Sequence, residues 1–296
     1  MTTEYELVTD AVGAVDRSDR AKFLVRGSEA ADFLQGQVSN DVEALEPGQG
    51  CYATILNAKG KLRTDLRILR SAEWFFLDTE AIGHAVLRHM LETYSLGRDV
   101  QHEDLTSTRS LVSLLGPEAR AALDVQPPGQ EHAFAHGAHG LYVTTDLGVD
   151  VIGEPDLDLG VPAVSEEVAE CMRIESGRPR LGYDMDAETM PQEAGINERA
   201  VSFTKGCYVG QETVARLHYR GRPNRHLRGL RLPEPVERGT EILLGDKVVG
   251  RVASTCVSPR VGPIALALVR REAEPGTSVS VNGATAEVVG LPFTRG

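Results

Sequence analysis

Lys205-Gly206-Cys207-Tyr208-Val209-Gly210-Gln211-Glu212 sets a thiol between a lysine and a glutamate, with two glycines in the same eight residues. A nearby ammonium lowers a thiol pKa and raises the fraction present as thiolate, the form that acts as nucleophile. Cys207 and Lys205 are therefore the first candidates for catalysis. A buried cysteine acting as a small hydrophobe sits among apolar neighbours, and this loop does not supply them. Gly206 and Gly210 imply a backbone that turns tightly or approaches another segment closely.

Other groupings point to less chemistry. His132, His136 and His139 lie in a stretch with Pro127, Pro128 and several glycines, without a carboxylate or thiol at matching spacing, so no metal is expected there. Gly206 to Gly210 lacks the terminal Lys-Ser/Thr of a phosphate loop, which argues against nucleotide hydrolysis. His218 has no identifiable third residue to orient it toward Cys207 as a protease-like pair. The four cysteines, at 51, 171, 207 and 256, form no C-x-x-C pair and no secreted disulfide framework. One isolated Cys207 cannot hold a 4Fe-4S cluster alone, although a cluster shared at an interface stays open.

Bulk properties set the frame for these residues. The chain has 296 residues, long for one core, and suggests two or three lobes. With 41% hydrophobic and 25% charged residues it is an ordinary globular sequence. A net charge of −12 argues against a direct nucleic-acid binder. No run approaches the roughly 18 apolar residues of a membrane span, and Met1 to Asp10 does not read as a signal peptide, so no membrane association and a cytoplasmic location are expected.

The elements that must position the candidate residues are partly legible. Lys22 to Val25 reads as a strand, with Ser28 as N-cap of a helix through Phe33 and Leu34. Tyr52–Leu56 and Leu62–Leu69 read as a hairpin around the turn Asn57-Ala58-Lys59-Gly60. Ile82, Val86, Met90 and Tyr94 recur at four-residue spacing, predicting a helix over Thr79 to Tyr94 that packs on a sheet. Pro117 is placed to open a helix through Leu123. Gln126 to Gly140 reads as a connection between lobes. Leu141 to Val151 has strand character, and Ser165-Glu166-Glu167 starts a helix that runs into Glu175. From Leu227 onward short valine- and leucine-rich segments alternate with turns, Asn282-Gly283 being the clearest, as in a small antiparallel barrel or sandwich.

The octapeptide around Cys207 resembles the signature of the YgfZ-type folate-binding proteins, which are similar to the aminomethyltransferase (T-protein) of the glycine cleavage system. The resemblance continues through Gly27, Phe33-Leu34-Gln35-Gly36-Gln37, Asn40-Asp41-Val42, Tyr52 and Leu56 to Gly60. It resumes at Glu175-Ser176-Gly177, Gly182, Asp186, Gly250 to Pro259, and Pro292-Phe293. It implies an α+β fold of intertwined folate-binding lobes over 1–222, arranged around a central hole, with a C-terminal β-barrel over 223–296.

The resemblance also implies tetrahydrofolate or a one-carbon derivative as ligand. Glu175 then stands where similar enzymes place the carboxylate that recognises the pterin ring, with Tyr52, Asn57 and Arg216 as further folate-binding candidates. Glu175 suits that role because a carboxylate accepts parallel hydrogen bonds from the pterin amino group and ring N–H. Arg216, Arg220, Arg222, Arg225, Arg228 and Arg231 lie between Glu212 and Glu234 with no acid among them. Such a run is usually a solvated face; as a group it suits an anionic glutamate tail, while RNA phosphate finds no aromatic interleaving beyond Tyr219.

Two departures bear on catalysis. Leu181 stands where a tyrosine is expected, and Thr64-Asp65 replaces the Asp-Asp pair of the aminomethyltransferases. Neighbouring strand residues face opposite sides, so the inward member, Thr64 or Asp65, decides whether a catalytic carboxylate remains. The resemblance implies an accessory role in assembly or repair of 4Fe-4S enzymes, with iron–sulfur client or assembly proteins as partners and an indirect effect on tRNA modification. The alternative is a folate-dependent aminomethyltransferase or demethylase with Asp65 as its acid–base group.

Overall fold

A computed structural model describes residues 2–293. The chain runs α1 (Thr2–Asp10), β1 (Gly13–Asp16), β2 (Ala21–Arg26), α2 (Ala30–Gln37), β3 (Gln49–Leu56), β4 (Leu62–Arg70), β5 (Phe75–Thr79), α3 (His84–Tyr94) and β6 (Gln101–Asp104). Next come β7 (Ser110–Leu115), β8 (Phe134–Gly137), β9 (Gly140–Thr144), β10 (Gly148–Gly153), α4 (Glu166–Glu175), α5 (Asn197–Ala200) and α6 (Gln211–Arg220). The last strands are β11 (Arg225–Arg231), β12 (Glu241–Leu244), β13 (Lys247–Ser258), β14 (Gly262–Arg270), β15 (Ser278–Val281) and β16 (Ala284–Val289). The fold is α+β with a closed six-stranded barrel, ordered β11-β14-β13-β12-β15-β16.

The first sheet has the order β3-β4-β5-β2-β6. Side chains alternate across a strand, and β4 shows what that does here. Leu66 and Ile68 point into a core with Phe23, Val25 and Leu77, which α2 covers with Phe33 and Leu34 and α3 covers with Leu87, Met90 and Leu91. Burying each of these large side chains contributes roughly 1.5–3 kcal/mol. The alternate residues Asp65, Arg67 and Leu69 face the other way, toward the second sheet, ordered β1-β7-β10-β9-β8. Leu69 meets Leu111, Val143 and Ile152 there in a second apolar cluster. Asp65 and Arg67 instead line a polar hollow between lobes.

Turn chemistry fixes two hairpins. Gly60 closes the β3–β4 turn with φ +72°, and Asn282-Gly283 joins β15 to β16 with φ +52° and +80°, the two positive values that a type I′ turn requires. Several local expectations fail. Pro117 is followed by turns rather than a helix. Ser28 does not cap α2; Glu29 holds the cap position, and the Ser28 hydroxyl donates to Asp99 (2.6 Å). The segment 126–140 is more than a connection, since it supplies β8. A short 3-10 turn, Ala81–Gly83, precedes α3, and the predicted face is misplaced: Ile82 and Tyr94 are 66% and 49% exposed. A strict four-residue repeat drifts off a helix of 3.6 residues per turn, and the face that packs is Leu87, Met90 and Leu91.

Candidate active site in the central cavity

The hollow between the lobes has a volume of about 220 Å³ and is walled by charged residues from both sheets, α4 and the segments around them. Its wall is built on one buried ion network. Asp78, on β5 and fully buried, accepts hydrogen bonds from Arg20 (2.9 and 2.7 Å) and from Nε of Arg67 (2.7 Å). Arg67 also donates to Asp150 on β10 (2.6 Å), which is held by Ser113 (2.6 Å). Burial pushes the Asp78 carboxyl up, but the Arg67 and Arg20 charges outweigh it and hold the group below the ordinary value. The Arg67–Asp150 pair thereby ties the first sheet to the second.

Among the lining carboxylates of the described residues, four face guanidinium groups. Glu80 meets Arg20 and Arg180, Asp146 meets Arg178, Asp150 meets Arg67, and Glu131 meets Arg199. Asp65 is the exception. Its Oδ2 accepts a hydrogen bond from the Tyr52 hydroxyl (2.6 Å), and its Oδ1 is buried without a partner. Burial raises the Asp65 pKa, with the Tyr52 hydrogen bond opposing. Burial and the neighbouring Asp65 charge in turn hold Tyr52 in its protonated, donating form. Nη2 of Arg67, two residues along the same strand face, is also buried and unpartnered. A carboxyl group with a raised pKa, one oxygen fixed and the other free, is placed to take up and return a proton.

The structure thus places Asp65, not Thr64, at the cavity. The Thr64 hydroxyl contacts Thr79 (3.0 Å) and lies over Gly83 on the other side of the strand. His132, set aside as a metal ligand, also lines the cavity, in a backbone with φ +67° that is uncommon outside glycine. Burial, with the Arg67 charge, lowers its pKa to about 4, so the imidazole there is neutral.

Other candidates go elsewhere. Glu175 is buried at the end of α4, and its oxygens are occupied by Tyr5 (2.7 and 2.9 Å), Arg260 (2.5 Å) and the Ser258 hydroxyl. It does not line the central cavity. A carboxylate so enclosed joins α1, α4 and the barrel. Asn57 accepts the N–H groups of Lys59 (2.9 Å) and Lys61 (3.1 Å), shaping the β3–β4 turn. Arg216 and Arg220 are exposed on α6, and Arg225 pairs with Glu193 (3.0 Å), so the arginine-rich run does not converge on one ligand. The cavity arginines are others: Arg17, Arg20, Arg67, Arg173, Arg178 and Arg199. Spacing offered one signal for them, since Asp65 and Arg67 share a strand face at i and i+2.

The octapeptide proves to be largely a packing device. Nζ of Lys205 donates to the carbonyls of Gln35 (2.7 Å), Val38 (2.8 Å) and Asn40 (2.7 Å) and lies over the Tyr208 ring. Burial lowers its pKa to about 8, yet the carbonyls use all three donors of an ammonium. The lysine is committed to the backbone rather than to the thiol. Gly210 has φ +84°, and a Cβ there would meet the Asn57 carbonyl oxygen at 2.5 Å, so only glycine fits against that turn. Gly206 has no such neighbour and no positive φ. Tyr208 is buried beside Leu56 and Leu62, Gln211 opens α6, and Glu212 is an exposed acid in its first turn. Cys207 itself is exposed. Lys205→Met, which strips three carbonyls of their donor, is expected to cost about 2–4 kcal/mol in urea unfolding, and Cys207→Ala less than about 0.5 kcal/mol.

Among the described residues no helix is long and apolar enough to cross a membrane, and no group of three or more His, Cys, Asp or Glu side chains is arranged to hold a metal ion. Residues 1–138 match the GCVT N-terminal domain, and residues 225–294 match the glycine cleavage T-protein C-terminal barrel domain. Along its length the chain is similar to the aminomethyltransferases of Nostoc sp. (28% identical, covering 100% of this chain and 88% of that protein) and Thermus thermophilus (29%, covering 98% and 89%). Its fold is that of the glycine cleavage system aminomethyltransferase T from Bartonella henselae, with a TM-score of 0.88 at 24% identity over 99% of this chain and 89% of that one. The chain therefore carries both the GCVT N-terminal domain and the T-protein C-terminal barrel domain, and is similar over its whole length to aminomethyltransferases.

Proposed function

We propose that this protein is a folate-dependent one-carbon transferase of the aminomethyltransferase type, working in the central cavity with Asp65 as its acid–base group. The observation that carries the reading is the Asp65 carboxylate: buried, oriented by Tyr52, without a cationic partner and with Oδ1 unpartnered. The donor set suits a pterin edge. Oδ1 of Asp65 accepts a ring or amino N–H, and Nη2 of Arg67 donates to a ring carbonyl. A volume of about 220 Å³ admits a bicyclic ring but is below the roughly 300 Å³ of a site that encloses a whole drug-sized ligand, so the anionic tail lies outside it. Tetrahydrofolate supplies the nitrogen that receives the one-carbon unit. Asp65 takes the proton lost from that nitrogen at Oδ1 and returns it to the departing amine, while Tyr52 holds the carboxyl plane. The aminomethyltransferase names of the similar proteins support this reading.

Calorimetric titration with tetrahydrofolate under reducing conditions tests the binding half. One-site saturation is expected for the wild type. Asp65→Leu, which removes the acceptor, should weaken binding at least about tenfold, the equivalent of one hydrogen bond to a charged group, and Arg216→Ala should not. Absence of saturable heat from the wild type would sink the proposal.

A second reading, an accessory protein for 4Fe-4S enzymes, is favoured by one observation. Cys207 is exposed beside Val209 (46% exposed) and does not line the cavity, so it is open to a partner rather than to the ligand. Folate binding together with loss of client-enzyme activity in a Cys207→Ala strain, and no transferase turnover, would select this reading.

A further inference from the structure

Cys171 and Cys256 take no part in the cavity chemistry, and their positions ask for a separate explanation. Cys171 is fully buried on α4, Cys256 is half-buried on β13, and their sulfurs stand 3.2 Å apart. That separation is roughly 1.2 Å longer than a covalent S–S bond, so joining them needs only a small approach of two packed elements. Cys256 also lines a surface groove of about 520 Å³, bordered by Glu166, Glu167, Glu170, Tyr183 and Arg238. A small uncharged oxidant reaches its sulfur from that side, and three glutamates on the rim disfavour an anionic one.

We propose that Cys171 and Cys256 are a redox modification site, forming a reversible disulfide when hydrogen peroxide enters this groove. Cys256 reacts first because its sulfur lies on the groove. The neighbouring Cys256 sulfur, together with burial, raises the Cys171 thiol far above its ordinary pKa. The Cys256 thiolate attacks one peroxide oxygen, the O–O bond breaks, and the hydroxide released takes up the proton that the thiol had lost, leaving a sulfenic acid and one water. Cys171 then attacks the Cys256 sulfur; the S–S bond forms, the S–O bond breaks, and the second oxygen leaves as water. The Cys171 proton is taken up by the hydroxide displaced from the Cys256 sulfur, which completes that water. In sum two thiols lose two electrons and two protons, and one peroxide becomes two waters.

The bond would lie beside an existing tie. Arg173, two residues on from Cys171, lines the central cavity and donates to Ser254 (2.7 Å), two residues before Cys256. Oxidation therefore adds a covalent rung next to a hydrogen-bonded one and pins the cavity-lining helix to the barrel.

The test treats the Cys207→Ser protein, which lacks the exposed thiol, with a small excess of hydrogen peroxide. Catalase removal, denaturing alkylation and peptide mass mapping follow. The expected product has lost about 2 Da, yields a linked peptide pair containing Cys171 and Cys256, reverts with dithiothreitol, and melts at least about 5 °C higher than the reduced form. The same mapping on oxidised and reduced wild-type chain needs no substitution at all, so a folding defect in a variant does not blur the answer. Alkylation of both Cys171 and Cys256 after peroxide, or a link from either to Cys51, overturns the proposal.

Discussion

Asp65→Asn is expected to lower one-carbon transfer to tetrahydrofolate by about 10²–10⁴-fold, the range seen when a positioned acid–base group is removed. The amide keeps the shape and one acceptor oxygen, which stays with the Tyr52 hydroxyl, while its NH2 group takes the place of Oδ1. Tetrahydrofolate then binds more weakly, and the rate is compared at saturating tetrahydrofolate, where only the loss of the proton carrier shows. Stability should move the other way. Burial raises the folded-state pKa of Asp65, so the ionised form is less favourable in the folded chain than in the unfolded one. Above the unfolded carboxylate pKa that difference costs stability, a cost removed as pH falls and absent from the amide. The variant at neutral pH therefore melts at or above the wild-type temperature. Rates from a tetrahydrofolate-dependent transfer assay, read beside melting curves of both proteins, check the pair of outcomes. Equal rates in the two proteins would move the chemistry away from this carboxylate.

Asp78→Ala is expected to be the most destabilising single change in the cavity wall. It takes one of two carboxylate partners from each of the buried Arg20 and Arg67 guanidinium groups, leaving Arg20 with Glu80 and Arg67 with Asp150. Removing the shared carboxylate from a buried ion network costs about 3–5 kcal/mol, because the two guanidinium charges left behind are less fully matched and cannot be solvated. In a chain of this size that corresponds to a fall in melting temperature on the order of 6–20 °C. The same network predicts an acid limit. Asp78 and Glu80 are pushed up by burial and pulled further down by their arginines, so both have folded-state pKa values below the unfolded ones. Their contribution is complete above the ordinary carboxylate range and is lost as pH falls through the depressed values. Wild-type urea midpoints should therefore drop below about pH 4, and the Asp78→Ala midpoints should drop less over the same interval. A loss under about 1 kcal/mol at neutral pH would mean that Glu80 and Asp150 alone suffice to hold the two arginines.

Period and turn chemistry made part of this fold legible. The β3–β4 hairpin, the helix ending at Glu175 and the Asn282-Gly283 turn follow from local rules that the structure obeys. The 117–123 segment does not, because a proline permits a first helical turn without supplying the apolar face that would hold one. The candidate site was legible only at its edge. Asp65 and Tyr52 stood out, but Arg20, Asp78, Asp150 and His132 are scattered along the chain and meet only through strand pairing and the stacking of two sheets, information carried by tertiary contacts rather than by spacing. Conversely, the octapeptide looked catalytic because its composition is unusual. Lys205 and Gly210 owe their identities to three carbonyls and a neighbouring turn, which leaves Cys207 as the residue that packing does not explain.

A crystal structure of the protein grown with tetrahydrofolate would show which site takes the pterin ring. The pterin ring is expected inside the central cavity, with a ring or amino nitrogen within hydrogen-bond distance of Asp65 Oδ1 and Arg67 Nη2 on the ring carbonyl. A ring bound instead against Glu175, or on the outer face of α6 beside Cys207, with the central cavity left to solvent, would contradict it.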